Sequence, residues 1–313
     1  MGQGRRLTEA IQMTVASTDV KATTTRGVGT MSRRRSVAWL GFTPFAAYVL
    51  IFLAVPALIA VASGFFTSDG RFTFANLTAF ADPTIQSAFV ASFAVSLVSA
   101  AVGAVAGAII CYALLGVRPD GFLRTAIDSA SSVLAQFGGV MLAFAFIATI
   151  GIQGLLTQWL KQTFGFDINA NGPVLYQVPG LLFPYVYFQI PLMVLTFMPA
   201  LAGLKPQWGE ATAILGGSRL TYWRRVGFPI LAPAFWGCFI LLFANAFSSY
   251  ATAAALIDQG GIVPLTIRQQ LTSETVVGVS NVAGVLALGM LVVMVVVMLA
   301  YSALQRRTSR WQR

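Results

Sequence analysis

Long apolar runs alternate with short polar stretches along the whole chain. Six runs are long enough for bilayer-spanning helices, which need about 20 apolar residues each. They cover about Ala38–Phe65, Ala88–Leu115, Ala130–Ile152, Gly180–Leu204, Ala234–Ile257 and Val282–Leu304. The second carries Ala100, Gly103, Ala104, Gly107 and Ala108, a small-residue face suited to close helix packing. The first holds Pro44 and Pro56, and the fourth is broken in the pattern by Pro184, Pro191 and Pro199. Between the third and fourth, Leu155, Leu156, Trp159, Leu160 and Phe164 recur at helical spacing. That pattern predicts an amphipathic helix at the membrane interface, with Trp159 at headgroup depth.

One polar island interrupts the pattern differently. Gly209–Pro233 lies between the fourth and fifth spans, too long for a tight hairpin and too apolar for a free loop. Trp208, Ala211, Leu215 and Tyr222 permit a short amphipathic helix along the membrane. Gly216-Gly217-Ser218 predicts a break between two helical pieces. Pro229 and Pro233 mark re-entry into the bilayer.

Composition agrees with the pattern: 57% of the 313 residues are hydrophobic and 10% charged, against about 25% charged in soluble domains. The first 35 residues are polar and basic, without the apolar core of a signal peptide, and read as a disordered cytoplasmic tail. Met31, before Ser32 and three arginines, is an alternative start. Residues 36–307 form the six-span domain, with a core of about 86–304, and 308–313 form a second tail.

The net charge of +10 raises nucleic acid as a partner until the charges are placed. With six spans and both termini cytoplasmic, 17 of the 20 Lys and Arg residues fall on the cytoplasmic side. Only Arg71, Lys161 and Arg268 lie outside, while the ten acids divide evenly. This is the positive-inside asymmetry of a membrane protein, and it excludes the nucleic-acid reading. It also places the island in the cytoplasm. The chain has no His, no Walker A glycine-rich lysine motif, no Gly-x-Ser-x-Gly and no paired carboxylates within a span. An enzyme is not indicated, and no cofactor or metal is expected. Cys111 and Cys238 each sit in an apolar run and read as small core residues.

The island resembles the signature loop of ABC importer permeases: Glu-Ala-Ala, three residues, Gly, nine residues, Ile-x-Leu-Pro. Here Glu210, Ala211 and Thr212 are followed by Gly216 and by Val226-Gly227-Phe228-Pro229, with every spacing kept. Thr, Val and Phe replace the second Ala, Ile and Leu. The resemblance implies the type I importer permease fold, all-α, with six transmembrane helices and a cytoplasmic coupling helix between helices 4 and 5. It implies that Glu210, Ala211, Thr212, Gly216, Arg219 and Pro229 serve coupling to a cytoplasmic ABC ATPase, which binds the ATP. It further implies a second permease subunit, an extracytoplasmic solute-binding protein and a bacterial inner-membrane location. The plainer alternative is a loop helix anchored to anionic lipid by its arginines.

The segments around Leu134–Gly151, Phe183–Trp208 and Phe243–Leu256 look like one branch of these permeases, which handles spermidine/putrescine, iron(III), thiamine or aminoethylphosphonate. Polyamine is the first expectation from that branch. Polar groups inside spans are costly and point to a solute path: Gln136, Tyr185, Gln189, Asn245, Ser249 and Tyr250. Asn245, Ser249 and Thr252 are spaced to share one helix face. Interhelical hydrogen bonding is the alternative use of each. A secondary carrier predicts mid-span charges or an internal repeat, and an intramembrane lipid-modifying enzyme predicts acids or His at the membrane face; neither is seen.

Overall fold

The computed structural model describes residues 42–67, 69–118, 120–170, 172–258, 260–272 and 279–309. The expected basic tail, residues 1–35, and most of 308–313 lie outside these. Of the described residues, 42–57 belong to one compact unit and those from Leu58 onward to a second. Among the described residues, six helices are long and apolar enough to cross a membrane: Phe42–Ser63, Pro83–Leu114, Gly139–Phe164, Val178–Ala202, Arg219–Phe247 and Asn281–Gln305.

In chain order, α1 is Phe42–Ser63, with a π turn over Leu50–Ala54. α2 is Pro83–Leu114, started by the Asp82 carboxylate accepting from the Thr84 amide, with proline in its first turn. The expected third span is not one helix. It divides into α3, Phe122–Gln136, and α4, Gly139–Ile150, interrupted at Phe137-Gly138. The stretch expected to form an interfacial helix is α5, Leu155–Phe164, with Trp159 exposed; it falls within the apolar segment Gly139–Phe164. α6 is Leu182–Ala202 and runs unbroken through Pro191 and Pro199. Neighbouring helices compensate the lost N–H groups, so membrane prolines need not end a helix.

Two short helices follow, α7, Pro206–Ile214, and α8, Arg219–Tyr222. A π turn over Trp223–Gly227 joins α8 to α9, Phe228–Phe247. Pro229 and Pro233 therefore fall within a continuous rod rather than at a break, because the wide turn delivers Pro229 to a first-turn position where its missing N–H is tolerated. The fifth span stops short of Ile257: residues 248–250 break it before α10, Ala251–Leu256. α11 is Val263–Thr272 and α12 is Val279–Ser309.

The core forms where α2, α6 and α9 meet. Ala100, Ala104 and Cys111 of α2 are fully buried against Met193, Val194 and Phe197 of α6 and Leu242 of α9. The small-residue face permits this. A Cβ on Gly103 would stand 2.6 Å from the Cβ of Gln189, and one on Gly107 would stand 2.5 Å from the Cβ of Met193. Without a hydrophobic drive between helices in lipid, such backbone proximity is what holds them together. A second core links Leu142 and Ala143 of α4 with Tyr185 and Phe188 of α6 and Ala253 and Leu256 of α10.

Candidate functional site

The segment that joins α6 to α9 is folded by its own backbone. Gly216 adopts φ +73°, the left-handed region that glycine enters without penalty. Its N–H bonds Ala213 O at 3.0 Å, and the Gly217 N–H bonds Thr212 O at 2.8 Å. These two bonds are a Schellman end for α7. Gly217 is also required by space, since a Cβ there would lie 2.7 Å from Thr212 Cγ2 and 2.9 Å from Thr212 O. Thr212 turns inward and donates from Oγ1 to Trp208 O at 2.8 Å. Ser218 caps α8 by accepting from the Thr221 amide.

The rigid corner presents a definite face. Glu210, Ala211 and Ala213 are exposed, and Ile214 and Leu215 are each 86% exposed. The sequence pattern put Ala211 and Leu215 on the apolar side of a helix along the membrane, and the motif put Ala211 at the partner contact. In the structure both are exposed, and Leu215 lies past the end of α7 at the corner itself. Sequence reasoning missed Ile214, although its position between the motif's acid and glycine was the available signal. Arg219 faces α2, its Nη2 donating to Tyr112 Oη at 3.4 Å. Arg224 and Arg225 are exposed. Pro229 sits in the first turn of α9, away from the α7 corner in sequence.

Within the membrane region, the two helix breaks lie together. The Thr252 hydroxyl of α10 donates to Gly139 O of α4 at 3.2 Å, and the Tyr185 hydroxyl donates to Ser249 O at 3.0 Å. Between the breaks is a cavity of about 220 Å³, lined by Ala135, Gly138, Gly139, Phe188, Asn245, Ser248, Ser249 and Thr252. Asn245, Ser249 and Thr252 do converge there. They do so across a broken helix, not along one helix face, since Asn245 is on α9, Ser249 in the break and Thr252 on α10.

The other residues expected on the path are placed differently. Tyr185 and Gln189 are buried at 1% and 0% exposure and are not in the cavity wall. The Gln189 amide pins helices instead. The orientation satisfying both its ends donates to Leu242 O at 3.2 Å and accepts from Ser99 Oγ at 3.0 Å. Gln136, at the end of α3, and Tyr250, 43% exposed, also lie outside the lining.

No family model matches the chain. It is similar to the probable sulfate transport system permease protein cysT of Prototheca wickerhamii, 23% identical over 232 residues, covering 72% of this chain and 87% of that protein. It is 27% identical over 249 residues to the sulfate transport system permease protein CysT of Synechococcus elongatus, covering 73% and 79%. These relatives are transport permeases and not enzymes. They are named for sulfate, and the polyamine expectation finds no support in them. Among solved structures, a bacterial ABC transporter involved in the import of the acidic polysaccharide alginate matches with TM-score 0.67 at 14% identity, covering 88% of this chain and 96% of that one. The MetNI methionine ABC transporter, solved in inward-facing conformations, matches with TM-score 0.50 at 15% identity, covering 72% and 95%. The chain is thus similar in sequence to sulfate transport system permease proteins and similar in fold to chains of bacterial ABC transporters.

Proposed function

We propose that the chain is the membrane-spanning subunit of an ATP-driven importer, seated in the inner membrane with both termini cytoplasmic. It pairs with a second permease subunit. It receives solute from an extracytoplasmic binding protein and is driven by cytoplasmic ABC ATPase subunits that bind the ATP. One observation carries this reading most: the α7 corner, a Schellman-ended helix presenting Glu210, Ala211, Ile214 and Leu215 to solvent. An apolar pair exposed on a cytoplasmic corner is costly unless a partner covers it. Glu210→Lys tests the docking. ATPase co-purification and uptake fall while membrane insertion persists; uptake that survives loss of the ATPase subunits would mean a self-contained carrier.

For the solute we propose a small oxyanion of the sulfate class. The relatives' names support this, as does the chemistry of the cavity. Its polar side chains are Asn245, Ser248, Ser249 and Thr252, all neutral, and no carboxylate stands in the wall to receive a polycation. The Thr252 and Ser248 hydroxyls donate to Gly139 O and Ala244 O, which leaves the Asn245 amide and the Ser249 hydroxyl as the donors that fit an oxyanion's acceptors. Uptake of radiolabelled sulfate and radiolabelled putrescine by cells with and without the chain separates the classes. Sulfate uptake that depends on the chain is expected; chain-dependent putrescine uptake alone would restore the polyamine reading.

A further inference from the structure

The π turn between α8 and α9 has a content that the coupling motif does not explain. The Phe228 N–H reaches back five residues to Trp223 O. A turn this wide brings side chains four apart nearly into line. Here those residues are Trp223 and Gly227. The indole lies on the Gly227 backbone, where an added Cβ would stand 2.6 Å from Cε3 and 3.0 Å from Cζ3. Gly227 is thus a socket for the ring. The ring's outer edge meets Tyr112 in the last turn of α2, with centroids 5.1 Å apart and planes at 74°. Tyr222 and Phe228 flank it at 5.6 and 5.8 Å. Arg219 reaches the same Tyr112 through its hydroxyl.

We infer that Trp223 is a positioning residue through which the cytoplasmic corner acts on α2, with Tyr112 as its receiver and Gly227 as its socket. The inference rests on the proposed ATPase coupling and adds a second route to it. The corner is covalently continuous with α9, so α9 moves with it in any case. α2 is connected to the corner by no short stretch of chain. Its link is the ring contact and the Arg219–Tyr112 bond. α2 is in turn locked to α6 through Gly103 and Gly107. A displacement of α8 therefore reaches the α2–α6 pair at this contact directly, in addition to the path through α9, which packs on both. Tyr112 is 45% exposed, and the half-buried Trp223 also packs against the core of α2, α6 and α9.

The test uses the chain assembled with its partner subunits in proteoliposomes, reading ATP hydrolysis and solute transported per ATP. Trp223→Ala and Tyr112→Ala should each keep the ATPase bound and hydrolysing, with transport per ATP lowered by about two- to thirtyfold, the range that coupling mutations cover. Because the two residues share one contact, the double variant should be no worse than either single one. Trp223→Phe and Tyr112→Phe, which keep a ring at each position, should recover most of the loss. Gly227→Ala should uncouple by displacing the indole, and adding Trp223→Ala should not deepen its defect. Unchanged transport per ATP in Trp223→Ala, or losses that multiply in the double variant, would overturn the inference. If Trp223→Ala does not assemble, the decision falls to Tyr112→Ala against Tyr112→Phe, and equal behaviour of those two would overturn it. Failure of the native chain to retain any ATPase would instead strike the proposed function.

Discussion

Replacing Gly107 by alanine adds one methyl group at the tightest point of the α2–α6 crossing. The new Cβ would stand 2.5 Å from Met193 Cβ, 2.7 Å from Met193 Cγ and 2.9 Å from Ile190 O. Two of these atoms cannot rotate away, because one is a Cβ and the other a backbone carbonyl. The helices must therefore part by about 1 Å to restore ordinary contact, and a gap of that size forfeits up to about half of each dispersion contact across it. The contacts at risk involve Ala104, Cys111, Val194 and Phe197, all in the core. Overpacking of this kind costs about 1–3 kcal/mol. The apparent melting midpoint in detergent should fall by about 2–12 °C, at about 2–4 °C for each kcal/mol. Met193→Ala should not rescue it, since Met193 Cβ remains. Gly138→Ala is the control, with nothing within 4 Å of its added Cβ. An unchanged midpoint in Gly107→Ala, or full rescue by Met193→Ala, would refute the account of how α2 and α6 are joined.

Three further outcomes follow from the geometry. Gln189→Leu removes the amide that joins α2 and α9 to α6, and thermal unfolding should show a loss of about 0.6–1.7 kcal/mol, the measured range for such membrane hydrogen bonds. Gly216→Ala meets no steric neighbour but must hold φ +73°; the strain, about 1–2 kcal/mol, should fray the end of α7 and weaken ATPase retention in pull-downs, with expression unaffected. Thr252→Val deletes both a cavity hydroxyl and its bond to Gly139 O, so solute uptake should fall while ATPase retention stays normal.

Much of this architecture was legible because membrane burial imposes coarse constraints. Six apolar runs announce six long apolar helices without reference to packing. The spacing from Glu210 through Gly216 to Pro229 located the corner between α7 and α8, and the φ of Gly216 shows why glycine stands there. The helix breaks were less legible. Residues 130–152 and 234–257 are predominantly apolar, and hydropathy does not distinguish a continuous helix from a broken one. Gly138-Gly139 and Ser248-Ser249 were the local signals, and they are weak because glycine and serine are also ordinary residues of tightly packed membrane helices. Proline misled in the opposite direction, since Pro191, Pro199, Pro229 and Pro233 all lie inside helices. The fates of Tyr185 and Gln189 depended on tertiary placement alone. Sequence makes an intramembrane polar residue noticeable, but only packing decides whether it faces a cavity or pins a helix.

The most direct test of the central claim is to purify the chain from its native membrane with its partners and ask whether an ABC ATPase remains bound when the α7 corner is altered. Ile214→Asp with Leu215→Asp places two charges on the apolar pair while leaving the Schellman bonds and the membrane core untouched. The account predicts that the native chain retains its ATPase and that the doubly substituted chain, still inserted and folded, loses it along with ATP-dependent uptake. An ATPase that stays bound to the substituted chain, with uptake at the native rate, would contradict it.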